Sequence, residues 1–196
     1  MSSPDREREN GGLARRPGML RGVTAPALPK RLLLLRHANA ESTLGVVDHE
    51  RALTERGRRD AAAVGAWLVM AGIDCDLVIC STALRTRQTW DAAAGAGARA
   101  AEIDYHSAIY HGGPTGVLGV IGQDAGDLET VLVVGHAPTM PMLAEALTAG
   151  RGNAQAHADL AAGFPTAALA VLRYAGRWPD LGQGTAELEA FAIGRG

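Results

Sequence analysis

Cysteine and lysine are scarce in this 196-residue chain and long apolar runs are missing, and each shortage removes a class of protein. Two cysteines, Cys75 and Cys80, are too few for a disulfide framework. Both flank the apolar run DCDLVICS, where buried free thiols are expected, as in a reducing cytoplasm. No stretch approaches the roughly 18 apolar residues of a membrane span. Residues 1–29 mix acid, base, Gly and Pro without an apolar core, so they read as a disordered leader rather than a secretory signal. A net charge of -2 removes general attraction to nucleic acid or anionic lipid. Metal-hydrolase motifs are also missing: His49-Glu50 begins like H-E-x-x-H, but position 53 is leucine, and no C-x-x-C occurs. Cys80 and Arg85 have four residues between them, one short of the loop that wraps an anion above a cysteine thiolate.

What is present suits one folded domain, expected over 30–193. The chain is 47% hydrophobic and 20% charged, enough to bury a core. Leu32–Leu35 is a four-leucine run of the kind buried on both faces of a sheet, and it stops at Arg36-His37. After a loop over 38–52, Thr54 reads as a helix N-cap, and Ala61, Val64, Leu68 and Ala71 form one helical face ending near Gly72. Asp76–Cys80 and Thr130–Val134 are further buried strands, with helices expected over 83–94, 115–123 and about 140–149. Ile103–Tyr105 reads as a short strand. A Gly-, Ala- and Asn-rich loop is expected before two last strands, Ala167–Tyr174 and Glu187–Ile193.

Strands alternating with helices predict a three-layer α/β/α sandwich around a mostly parallel central sheet. Ligands of such sheets bind beyond the carboxyl ends of the strands. Three separate strands deliver Arg36 and His37, the segment with Arg85, and His136 to that one rim. A neutral histidine is a competent nucleophile near pH 7, and arginines grip phosphoryl oxygens through forked hydrogen bonds. These are the groups that phosphoryl transfer needs. Lys30 is the sole lysine among 19 basic residues, so the cations are almost all of the forked kind.

The segment LLLLRHANAE resembles the strand and R-H-G/A motif of the histidine phosphatase superfamily, which has the phosphoglycerate-mutase-like fold. CSTALRTRQTW resembles its S-x-x-x-R-x-x-Q-T segment, and VVGHAPTM its second histidine motif. DHERALTERGRRDA is similar to a D-x-x-R-x-L-T-x-x-G run of the SixA branch of phosphohistidine phosphatases. The resemblance spans roughly 30–193. It implies that His37 is the phosphorylated nucleophile, that Arg36, Arg85 and His136 hold the phosphoryl oxygens, and that Arg51 contacts phosphate at the pocket mouth. It implies no metal and no cofactor.

Two features depart from the superfamily pattern. Ala38 follows the nucleophile where glycine is frequent. The stretch DYHSAIYHGGP lacks the carboxylic general acid expected after the phosphate-binding arginine, and Glu102 falls on the wrong side of the expected strand. An alkoxide leaving group gains about 10²–10⁴ from such an acid. The P–N bond of phosphohistidine needs less help, so a phosphorylated protein is the expected partner. A small phosphorylated metabolite, as for a phosphomonoesterase or mutase on the same fold, and a non-catalytic phosphate-binding module are the alternatives. Pairing with Arg51 or orienting the loop is the minor reading of Asp48, and a solvated loop carboxylate the main one. Tyr110 and His111 are the other polar residues expected near the rim, while His49, His106, His157 and Arg87 read as surface or structural groups.

Overall fold

The computed structural model describes residues 29–42 and 44–196. The expected leader therefore lies, apart from Pro29, outside the described residues. Six strands form one sheet: β1 (Lys30–Arg36), β2 (Cys75–Ser81), β3 (Ala100–His106), β4 (Thr130–Gly135), β5 (Ala168–Tyr174) and β6 (Ala186–Ile193). Their order is β3-β2-β4-β1-β5-β6, parallel from β3 to β1 and antiparallel at β5 and β6. The helices are α1 (Glu55–Met70), α2 (Leu84–Gly95), α3 (Ala108–His111), α4 (Gly113–Asp124), α5 (Thr139–Thr148) and α6 (Ala154–Ala162).

Side chains alternate across a strand, so the apolar runs supply both faces. Leu33, Leu35, Val78, Cys80, Leu132 and Val134 face one layer, where Ala61, Val64 and Leu68 of α1 and Trp90 and Ala93 of α2 cover them. Leu32, Leu34, Leu77, Ile79, Val131 and Val133 face the other, covered by α4, α5 and α6. This is the expected three-layer sandwich.

The layers locate the site. β1 and β4 are parallel neighbours at the centre of the sheet. β1 leads to α1 on one face and β4 leads to α5 on the other. A crevice must open at their carboxyl ends, where the two connections diverge. Arg36 and Gly135 are register partners there, and the His37 amide donates to the Gly135 carbonyl at 2.9 Å. The residues that follow, His37 and His136, therefore leave adjacent strands at the same level.

Two expectations need correction. The segment after 150 is not all loop, because α6 occupies Ala154–Ala162. Asn153 caps it, its Oδ1 accepting from the Ala156 amide at 3.0 Å, and only Ala156 and Leu160 are buried, too few for a visible apolar stripe. The loop over 38–52 likewise contains one 3₁₀ turn at Asp48–Glu50. Among the described residues, no helix is long and apolar enough to cross a membrane.

Candidate active site

The chain after β1 is tied down before it turns away. The Ala38 amide donates to Thr89 Oγ1 at 3.0 Å, and the Asn39 carbonyl accepts from the Thr54 amide at 3.0 Å. Thr54 caps α1, its hydroxyl oxygen accepting from the Gly57 amide at 2.9 Å, a contact worth about 1 kcal/mol. A side chain at Gly57 would overlap the Asn39 carbonyl, so glycine allows the start of α1 to press against the segment after His37. Leu53 is held too, its amide donating to Gln88 Oε1 at 2.8 Å.

His37 Nδ1 lies 2.8 Å from the Ala38 carbonyl oxygen, which can only accept. Nδ1 therefore carries the hydrogen, and the lone pair is left on Nε2. Burial above all, with the charges of Arg85, Arg36 and Arg51 and against the raising effect of the Ala38 bond, brings the His37 pKa down to about 4. The ring is neutral at pH 7.

His136 is buried, and its ring centroid lies 5.2 Å from that of His37. Its Nδ1 is 3.3 Å from Arg85 Nη2, and its Nε2 is 2.8 Å from Ser81 Oγ. Arginine only donates, so Nδ1 accepts and Nε2–H points to Ser81. Burial first, then the neighbouring positive groups, pushes its pKa down to about 3. This differs in detail from the expected donor role. With both ring nitrogens occupied, a further donor on His136 requires an added proton, which an incoming anion favours.

Arg85, in the first turn of α2, has a side chain only 7% exposed. Its Nη1 donates to the Asp48 carbonyl at 2.6 Å and its Nη2 to Asp48 Oδ2 at 3.0 Å. Arg36 Nη1 donates to the Phe164 carbonyl at 2.8 Å. The Nε groups of Arg36 and Arg85 are buried without a partner, a costly state for a donor unless a ligand completes it. Arg51 stands further out, donating to Asp48 Oδ1 at 2.9 Å and to the Glu41 carbonyl at 2.6 Å. Arg36, His37, Arg85 and His136 thus converge on one rim, with Arg51 joined through Asp48.

Asp48 is more central than the sequence suggested. Besides pairing with Arg51, its Oδ2 accepts from the Tyr110 hydroxyl at 2.6 Å. That bond, followed by the Arg51 and Arg85 bonds, holds the carboxyl well below the usual carboxylate range. Tyr110 packs edge-on against His49, His111 and His136 at centroid distances of 5.2, 4.3 and 5.3 Å. Tyr110 and His111 are therefore at the rim. His49 is pinned by Thr82 Oγ1 at 2.9 Å, His157 by the Arg151 carbonyl at 2.9 Å, and His106 by Asp124 at 3.1 Å. Arg87 is half-buried rather than a surface group, and its Nε has no partner. Ser81, the first residue of S-x-x-x-R, stands at the strand end that faces His136, and that spacing is its signal in the sequence.

Cys80 is fully buried, and burial pushes its thiol up to about 12, so no thiolate forms near neutral pH. Cys75 is likewise buried and free. Among the described residues, one group, Asp104, His106 and Asp124, has metal-ligand spacing, and it contains neither site histidine.

The pKa of His37 leads to a first expectation. Loss of attack on acidification should come as pH falls through about 4, not through the ordinary histidine value near 6.5. An NMR titration of the His37 ring should show the same midpoint, and a midpoint near 6.5 would contradict its burial. The histidines of the unfolded chain bind protons below about 6.5, so stability is full above that value and is lost from there down to about 4 for His37 and about 3 for His136.

Comparison with known proteins agrees with this fold. Residues 32–108 match the family model of the histidine phosphatase superfamily, branch 1. An uncharacterised protein of Mycobacterium tuberculosis is 40% identical over 162 residues, covering 82% of this chain and 100% of that one. A structure from Nakamurella multipartitia, a candidate phosphohistidine phosphatase SixA, is 38% identical with a TM-score of 0.74, covering 86% of this chain and 98% of that one. A second candidate SixA, from Agrobacterium tumefaciens, is 32% identical with a TM-score of 0.68, covering 85% and 99%.

Proposed function

Because the chain belongs to the histidine phosphatase superfamily, in its SixA-type branch, we propose that it is a metal-independent phosphohistidine phosphatase of the cytoplasm. The observation that carries this reading is His37 itself: neutral, fixed in one tautomer by the Ala38 carbonyl, and ringed by Arg36, Arg85 and Arg51. The Nε2 lone pair attacks phosphorus, and the P–N bond to the substrate imidazole breaks. Its electron pair stays on the leaving nitrogen, which takes a proton from solvent. Water then attacks the phospho-His37 phosphorus, releasing phosphate and restoring the neutral ring. Arg36 and Arg85 neutralise the equatorial oxygens at both stages.

The nature of the leaving group follows from the acid. The carboxylate bonded to the site arginines, Asp48, is held in its ionised form and has no proton to give an alkoxide. A phosphoramidate tolerates that deficit better than a sugar or glycerate phosphate. The rim also carries apolar groups: Leu44 is 99% and Val47 70% exposed on the loop leading to Asp48. Such side chains gain from contact with a protein surface and little from a small polar metabolite.

A substrate panel tests this. With EDTA present, kcat/KM on a phosphohistidine protein should exceed that on sugar and glycerate phosphates by about 10²-fold or more. An acid-labile, alkali-stable phosphoenzyme should be trapped on His37. Equal rates on the phosphate esters would favour a general phosphomonoesterase, and binding without turnover a non-catalytic module.

A further inference from the structure

Three guanidinium groups, those of Arg36, Arg51 and Arg85, stand around the proposed phosphoryl site, and one carboxylate is bonded to two of them. Asp48 takes Arg51 on Oδ1 at 2.9 Å and Arg85 on Oδ2 at 3.0 Å, with the Tyr110 hydroxyl on Oδ2 as well. Its main-chain carbonyl takes the other Arg85 terminal nitrogen at 2.6 Å. Of the other acids nearby, the Glu50 carboxylate turns to His49 Nδ1 at 2.9 Å, and Glu41 meets Arg51 through its main-chain carbonyl rather than its carboxylate. The neighbouring rings of His49, His111 and Tyr110 add no second fixed anion.

We propose that Asp48 is an internal counter-ion and positioning residue, which aims Arg85 and Arg51 while offsetting one of three positive charges, so that product phosphate can leave. With His136 neutral, three guanidiniums and one carboxylate give a net charge of about +2, matching a phosphoryl dianion. A site with the third charge uncompensated holds the dianion of the product more tightly. Orthophosphate is released into the same cations that bound the substrate, so excess affinity slows turnover rather than helping it. Half of the Asp48 side chain is exposed, which leaves the carboxylate free to relax as an anion arrives. This inference rests on the phosphoryl-transfer reading above.

The test uses Asp48→Asn in the full chain, because the amide oxygen still accepts from Arg85 and Tyr110 while the charge and the acceptor for Arg51 are gone. Competitive inhibition by orthophosphate should strengthen about tenfold, with KM and kcat both lowered and a burst of phosphoenzyme formation ahead of slow release. Asp48→Ser, measured alongside, should shift inhibition in the same direction if the asparagine variant folds poorly. Asp48→Glu keeps the charge and should not strengthen inhibition. Weaker or unchanged orthophosphate inhibition in both neutral variants would reduce Asp48 to a structural brace and overturn the proposal. If the parent protein forms no phosphohistidine and orthophosphate does not compete with substrate, the phosphoryl-transfer reading falls and this inference with it.

Discussion

His37→Ala should abolish turnover by at least about 10⁴-fold and leave no phosphoenzyme, while the fold persists. The size follows from the role: without Nε2 no covalent intermediate forms, and the remaining cations can only bind the phosphoryl group. The fold should survive because the His37 side chain makes one hydrogen bond, to the carbonyl of the adjacent Ala38. Removing it also removes a buried imidazole that resists protonation. Thermal unfolding should therefore move by no more than a few degrees and lose part of its decline between pH 6.5 and 4. Orthophosphate should still bind, since Arg36, Arg85 and His136 remain. Retained turnover in this variant would remove His37 as nucleophile, whatever the fold.

Much of this arrangement was legible because each motif residue performs a local physical task. In S-x-x-x-R-x-x-Q-T, Ser81 meets His136 Nε2 and Arg85 reaches Asp48 and His136. Gln88 holds the Leu53 amide, and Thr89 holds the Ala38 amide directly after His37. In L-T-x-x-G, Thr54 caps α1 and Gly57 lets it approach Asn39. Those spacings are set by strand ends and helix turns, so they can be read without coordinates. The four-leucine run and the TVLVV run were equally plain, since strands covered on both faces are apolar at every position.

Other features depended on paths that no local pattern encodes. Asp48 meets Arg85 and Tyr110 across 37 and 62 positions of sequence. Its place in the collar is set by where the loop over 38–52 folds back. Tyr110 rides on a four-residue helix too short to leave a periodic signal. Helix α6 was hidden for a different reason, as its alanines and polar residues bury little and only its Asn153 cap marks its start. The tautomer of His136 also depends on contacts from the end of β2 and the first turn of α2, and so does its need to gain a proton before donating.

Arg85→Lys is the substitution that best separates charge from geometry. Lysine keeps the positive charge but is a single point donor on a flexible stem. It cannot hold the Asp48 carbonyl, the Asp48 carboxylate and His136 Nδ1 together, as the two terminal nitrogens of Arg85 do at 2.6, 3.0 and 3.3 Å. A fall in kcat/KM of about 10²-fold is expected, and about 10³-fold for Arg85→Ala, where charge and fork are both lost. Arg51→Ala should cost less, about tenfold, because its guanidinium stands at the exposed mouth and reaches the site through Asp48. The pH dependence supplies an independent sign. The Arg85 charge lowers the pKa of both His37 and His136. Its removal must raise them, so the acid limb of the alanine variant should move upward from about 4, while lysine should leave it nearly in place. An alanine variant that lost activity with an unmoved acid limb would show that Arg85 braces Asp48 without sensing the nucleophile's field.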